Sequence, residues 1–395
     1  MTHHLDTLLV HTGSAGIDPA TGSSAVSVPP VRASTVRFAN LDALEQAQRR
    51  KMAGERVATY GRSGMETHRA LEDVFVQLEG GAHCTLAPCG MAAITLVFMS
   101  LLQSGDHALV ADCVYGPVLH LDSALLRQLN IEITYFTPGR DDPEPLIRQN
   151  TRLLYVESPG SLLFQMLDMP ALAEIARRRN IVLATDNTWG SGYIYRPLDL
   201  GAQISVVAGT KYVAGHSDVM LGAVVTNDAE LGARLTRIQY AMGYAVGPDD
   251  AWLALRGVRT MAVRMAQHGR NALKMCEFLE RRPEVARVYH PALPSDPGHA
   301  LWRRDCTGSN GMLAIELRLS HRASRAFVDA LTLFGIGYSW GGYESLVQWV
   351  EPSSLATHGY WQGGDHAVVR MHVGLESPDD LIADVAQALD RAAAA

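Results

Sequence analysis

The sequence predicts an α/β protein: a mostly parallel, doubly wound sheet followed by a smaller α+β C-terminal domain. Three observations carry this. Short apolar runs of strand length recur between residues 60 and 240, helical patterns separate them, and strict alternation is lost beyond about residue 256.

In chain order, residues 1–60 carry Gly, Pro, Ser and Thr runs such as Thr21-Gly-Ser-Ser and Val28-Pro-Pro, with little periodicity. They read as an extended arm. Residues 61–256 form the principal domain. Its expected strands are Ala108–Ala111, Ile131–Phe136, Leu153–Glu157, Ile181–Thr185, Ile204–Ala208 and Gly222–Thr226. Expected helices cover Thr67–Leu78, Met91–Gln103, Val118–Leu129 and Pro170–Arg179. Buried strands separated by helices require crossovers, and hence parallel pairing. After Gly247-Pro-Asp-Asp, apolar residues at 258, 261, 265, 272, 276 and 279 fit one helix face. Residues 257–395 then give strands at Met312–Leu317 and Ala367–Val373 and helices at Ser324–Leu333 and Pro378–Ala392.

Composition narrows the function. With 47% hydrophobic and 19% charged residues in 395, sizeable cores are available and disorder is excluded. A net charge of −7 with no basic patch argues against nucleic acid as a partner. The longest apolar stretch, Met91–Leu102, is too short to span a bilayer. The start, Met-Thr-His-His-Leu-Asp, lacks the cationic and apolar regions of a secretory signal. Five cysteines without a Cys-x-x-Cys pair suggest buried thiols in a reducing, cytoplasmic compartment. No metal site is expected, and His366 and His372 read as strand residues. Gly-Lys of a P-loop is absent, and Gly61-Arg-Ser-Gly-Met fails the last position of a nucleophile elbow.

The cations are more informative: 31 are arginine and only three are lysine, at 51, 211 and 274. Codon bias explains the imbalance, but any amine chemistry then has three candidates. Lys51 lies in a charged run expected to be solvated, and Lys274 in an ordinary amphipathic helix. Lys211 ends the apolar run Ile204-Ser-Val-Val-Ala-Gly-Thr, where burial would lower its pKa towards a nucleophilic range.

Three segments have complementary chemistry. Pro88-Cys-Gly-Met-Ala-Ala leads a glycine turn into an apolar helix, whose free amides suit a phosphate. Asp186 follows a buried strand, where open α/β sheets bind ligands; it reads equally as a cap for the next turn. Thr210-Lys211 closes another strand. An anion site, an acid and a desolvated amine are what pyridoxal 5'-phosphate requires.

The run Gln203-Ile-Ser-Val-Val-Ala-Gly-Thr-Lys-Tyr-Val-Ala-Gly-His-Ser resembles the lysine motif of the Cys/Met-metabolism family of pyridoxal-phosphate enzymes. Tyr60-Gly-Arg-Ser-Gly, Leu78-Glu-Gly-Gly-Ala, Glu157-Ser-Pro-Gly-Ser, His290-Pro-Ala-Leu-Pro, Tyr338-Ser-Trp-Gly-Gly-Tyr-Glu-Ser-Leu and Arg370-Met-His-Val-Gly-Leu-Glu are similar to its bacterial β-lyase branch. Spread from residue 7 to near 385, they cover essentially the whole chain. The resemblance implies the aminotransferase-like fold (type I), a thioether amino acid as the small-molecule substrate, and a homotetramer of dimers that share active sites.

It also implies roles. Lys211 would carry the cofactor and later move protons, Asp186 would protonate the pyridine nitrogen, and Tyr115 would stack on the ring. Gly90, Met91 and Thr210 would bind the phosphate, with Tyr60 and Arg62 reaching it from a neighbouring subunit. Arg370 would clamp the substrate carboxylate, and Ser339 and Trp340 would line the pocket. Two departures stand out: Ala208 replaces a serine common among relatives, and Gly-Arg-Ser-Gly-Met-Glu-Thr replaces Ser-Arg-x-Gly-Asn-Pro-Thr. The second favours β-lyase over γ-acting relatives. The implied reaction is cleavage of cystathionine to homocysteine, pyruvate and ammonia. Alternatives are a lyase for cystine or other cysteine conjugates, a γ-lyase or γ-synthase, and a non-catalytic regulator. A regulator is disfavoured by the joint retention of lysine, acid and arginine.

Overall fold

Residues 3–361, 363, 364 and 366–394 are described by the computed structural model. A seven-stranded sheet contains β1 (His83–Ala87), β2 (His107–Ala111), β3 (Glu132–Phe136), β4 (Thr151–Glu157), β5 (Val182–Asp186), β6 (Ile204–Val207) and β7 (Gly222–Thr226). Their spatial order is β1-β7-β6-β5-β4-β2-β3. One strand, β7, runs opposite to the other six. Strands β2, β6 and β7 are buried at every position, as a sheet covered on both faces requires.

The second sheet contains β8 (Val285–Tyr289), β9 (Met312–Leu317), β10 (Gly335–Ile336), β11 (Leu346–Val350) and β12 (Ala367–His372), ordered β10-β11-β12-β9-β8. Helices Met261–Leu279, His321–Ala330 and Pro378–Ala393 supply much of its apolar cover. Among the described residues, no helix is long and apolar enough to cross a membrane.

The first sheet brings the site together through register. Glu157 at the end of β4 pairs with Asp186 at the end of β5, and Asp186 with Val206 on β6. The segment Ala208–Lys211 therefore leaves the sheet beside both acids. Behind it, helix Pro248–Val258 comes so close that a Cβ on Gly257 would lie 2.1 Å from the Ala214 carbonyl oxygen. Arg264 ties the two together, donating to the carbonyls of Tyr212 and Gly257 at 2.9 Å each.

Several expectations need correction. The arm is not wholly extended: helices span Leu5–His11 and Leu41–Met52, the second capped by the Asn40 side chain on the Ala43 amide at 2.9 Å. The first buries Leu9 but is too short to show a period. Lys51 is not simply solvated, because its Nζ donates to Thr59 Oγ1 at 3.1 Å and Ser63 Oγ at 2.8 Å. Strand β1 is not among the expected strands because His83 and Thr85 interrupt its apolar character. The stretch 118–129 is not one α-helix: an α-turn at Pro117–Leu121 widens at Asp122–Leu126 and tightens at Arg127–Leu129. Here buried Asp122 accepts from Arg127 and from the Tyr135 hydroxyl, both at 3.2 Å. The pattern 258–279 spans two helices, broken after Val258. Helix His321–Ala330 stops early because Asp384 takes the Thr332 and Leu333 amides.

Candidate active site

The carboxyl ends of β4, β5 and β6 face the start of helix Gly90–Leu101 and the segment Tyr338–Gly342. Lys211 lies between them. Its Nζ donates to Ser339 Oγ at 2.6 Å and lies 5.5 Å from the centroid of the Trp340 ring. Among the described residues it has no carboxylate within ion-pair distance. Burial, reinforced by the positive charge of Arg370 and opposed by Asp186, lowers its pKa from 10.5 to about 8.

Asp186 is buried, and its Oδ1 accepts the Thr188 amide at 2.8 Å. The turn-capping reading of this residue is therefore present in the structure, through Oδ1. Burial raises its pKa, while the Thr188 contacts and Lys211 oppose the rise. Beside it, Glu157 Oε2 accepts the Tyr115 amide at 2.6 Å. Desolvation and the neighbouring Asp186 push the Glu157 carboxyl well above the usual range. The Tyr115 side chain remains 45% exposed, placing it at the mouth of the site.

The helix Gly90–Leu101 opens without a conventional polar cap: Cys89 Sγ takes the Ala92 amide at 3.4 Å. The amides of Gly90 and Met91 have no intrahelical partner and sit at the positive end of the helix dipole. A Cβ at Gly90 would lie 2.7 Å from the Ala208 Cβ, so backbone alone fits here. Thr210 Oγ1 donates to the Leu221 carbonyl at 3.1 Å and accepts the Leu221 amide at 2.9 Å. To donate to an anion, this hydroxyl must rotate away from Leu221.

Arg370, on β12, donates to the Ser339 carbonyl at 3.1 Å. Among the described residues it carries no ion pair, and burial lowers its pKa to about 10. The guanidinium is thus a buried cation with free donor positions beside the Lys211 amine.

Lys211, Asp186, Ser339, Trp340, Arg370 and Tyr115 are thus brought to one region, next to Gly90, Met91 and Thr210. Among the described residues, the Tyr60 and Arg62 side chains make no hydrogen bond or ion pair with this cluster. Tyr60 is 50% exposed, and the Arg62 guanidinium lies 4.5 Å from the Tyr240 ring centroid. Together the free amides, the buried acid, the free amine and the backbone-only cradle at Gly90 fit pyridoxal phosphate: its anion, its ring nitrogen and its aldehyde would each find a complementary group.

Sequence reasoning missed Glu79 and Glu157 as supporting residues. Glu79 is fully buried and accepts Asn187 Nδ2 at 3.1 and 2.9 Å and Ser205 Oγ at 2.7 Å. It anchors the residue that follows Asp186, and burial pushes its carboxyl up to about 8 against these hydrogen bonds. Both residues lay inside family-like segments, which was the one available signal.

A family profile described as Cys/Met metabolism PLP-dependent enzyme matches residues 6–390. A cystathionine beta-lyase of Bordetella avium is 67% identical over 99% of this chain and 98% of its own. A cystathionine beta-lyase of Haemophilus influenzae is 38% identical over 99% of each chain. Among solved structures, a cystathionine gamma synthase of Xanthomonas oryzae in complex with aminoacrylate and cysteine superposes with a TM-score of 0.89. Its identity is 34%, and all of each chain is covered.

The lowered amine pKa gives a direct expectation. Only the unprotonated amine is acylated, so brief acetic anhydride pulses on the apoprotein should modify Lys211 with a pH midpoint near 8, read by mass spectrometry of its peptide. A midpoint at the ordinary lysine value of 10.5 would contradict the desolvation argument.

Proposed function

Because the chain belongs to the Cys/Met metabolism family of PLP-dependent enzymes, we propose that it is a carbon–sulfur β-lyase cleaving L-cystathionine to L-homocysteine, pyruvate and ammonia. The observation that carries this reading is the full-length, 67% identity to a cystathionine beta-lyase, joined to an amine, an acid and a free guanidinium at one site. Xanthomonas gamma synthase shares the fold at half that identity, so γ chemistry fits no better.

When bound, pyridoxal phosphate supplies an electron sink that acidifies the substrate Cα–H. Lys211 is the amine that holds it. The same Nζ, with a pKa near 8, would take the substrate Cα proton. Asp186 would keep a proton on the pyridine nitrogen, and Glu79 fixes the turn behind it through Asn187. The Gly90 and Met91 amides, with Thr210, would hold the phosphate, and the Tyr115 ring would cover the cofactor. Arg370 takes the substrate α-carboxylate in a two-pronged pair, leaving the Cβ–S bond free to align for departure of the thiolate. Trp340 and Ser339 bound the space for the thioether arm.

The assembly is proposed as a cytoplasmic homotetramer whose paired subunits share sites. Tyr60 and Arg62 are exposed, beside the exposed Tyr240, and among the described residues their side chains make no hydrogen bond or ion pair with the Lys211 cluster of their own chain. Their use is at a neighbour's phosphate. Mixing Lys211→Ala with Arg62→Ala parents should restore activity in hybrids that carry one intact site. No recovery after demonstrated subunit exchange would assign both residues to their own subunit.

Regiochemistry is read from the keto acid. With L-cystathionine the product should be pyruvate together with homocysteine. If 2-oxobutyrate and cysteine dominate, the enzyme is a γ-lyase and the β assignment falls.

A further inference from the structure

We propose that His372 is a positioning residue that sets the Lys211 amine by clamping the segment Tyr338–Gly342, a role that rests on Lys211 being the reacting amine. The segment lies directly on the Lys211 backbone. A Cβ at Gly341 would sit 2.9 Å from the Tyr212 nitrogen and 3.1 Å from the Lys211 Cα. Two of its residues are in left-handed backbone conformations, Ser339 at φ +81° and Gly341 at φ +88°. Glycine adopts this freely, but serine holds it only where its surroundings impose it.

Three hydrogen bonds supply that imposition. Ser339 Oγ accepts Lys211 Nζ at 2.6 Å, the Ser339 carbonyl accepts Arg370 at 3.1 Å, and the Gly341 amide donates to His372 Nε2 at 3.1 Å. Arg370 and His372 are two residues apart on β12, hence on the same face of the strand, so one strand holds the segment at two points.

The imidazole is prepared for this task. Its Nδ1–H donates to the Glu344 carbonyl at 3.0 Å, which fixes the tautomer and leaves the Nε2 lone pair aimed at Gly341. The ring is buried against His268, with centroids 5.0 Å apart, and Tyr212, 6.0 Å away. Besides the Tyr212 phenol, the charged or titratable groups around it are Lys211, Arg370 and His268. All three oppose a proton on His372, as does burial, while its bond to the Glu344 carbonyl favours one; the balance keeps its pKa well below the usual histidine range. The acceptor therefore persists across the working pH range.

Loss of that acceptor would strand the buried Gly341 amide. The segment would lift, and Ser339 Oγ would leave the amine. Arg370 would still be present for the substrate carboxylate, so the cost should fall on kcat more than on KM.

The test compares holoenzyme variants. His372→Phe keeps the ring volume and removes the acceptor. His372→Asn can keep the Glu344 contact but is too short for Gly341, whereas His372→Gln can present an oxygen there. We expect the Phe and Asn variants to lose about tenfold or more in kcat with KM for cystathionine changed less than about threefold. The pH midpoint of the cofactor's visible absorption should shift in both and return towards wild type in the Gln variant. Adding Ser339→Ala to His372→Phe should cost little beyond the larger single loss, since both act on one contact. Should the Phe variant fail to fold, the Asn and Gln pair decides alone. Equal behaviour of Asn and Gln, or fully multiplicative losses in the double variant, would overturn the proposal. A wild-type protein with neither the visible band nor pyruvate formation would instead overturn the functional reading beneath it.

Discussion

The site depends on an amine drawn out of water without a carboxylate against it. Had Lys211 an ion-pair partner, its charge would be stabilised and its nucleophilicity lost. Instead it meets a hydroxyl on Ser339 and the positive field of Arg370, which together with burial bring its pKa to about 8. The nearby negative charge belongs to Asp186, close enough to oppose that shift but not to pair with the amine.

This arrangement follows from the sheet. Parallel strands end together, so β4, β5 and β6 deliver Glu157, Asp186 and Lys211 to one edge. Two buried acids side by side are costly, and both are pushed towards the protonated form. Glu157 gains the Tyr115 amide and Asp186 the Thr188 amide. The second sheet adds what the first cannot: a guanidinium and an imidazole on β12, which hold the segment over the amine.

Much of this was legible in the sequence, for physical reasons that differ by element. Strands β2, β4, β6 and β7 are apolar on both faces and stand out from their neighbours. Lys211 stood out because lysine is scarce here and this one follows such a strand. Asp186 was ambiguous because capping and ligand binding favour the same residue type, and its cap on the Thr188 amide is compatible with either. The supporting groups were hidden by distance along the chain. Glu79 meets Asn187 and Ser205, more than 100 positions away, and His372 meets Gly341, 31 positions away. No local pattern distinguishes a histidine that packs in a strand from one that aims a lone pair at a glycine amide. Lys51 misled for a related reason: its charged run suggested solvent, yet Thr59 and Ser63 fold back onto it.

The claim at the centre of this account is that one amine, Lys211, carries the cofactor. Borohydride reduction of the holoenzyme, followed by peptide mapping, tests it most directly. The account predicts a pyridoxyl group on the peptide containing Lys211 and none at Lys51 or Lys274. A stable label at either of those two, with Lys211 unmodified, would contradict it.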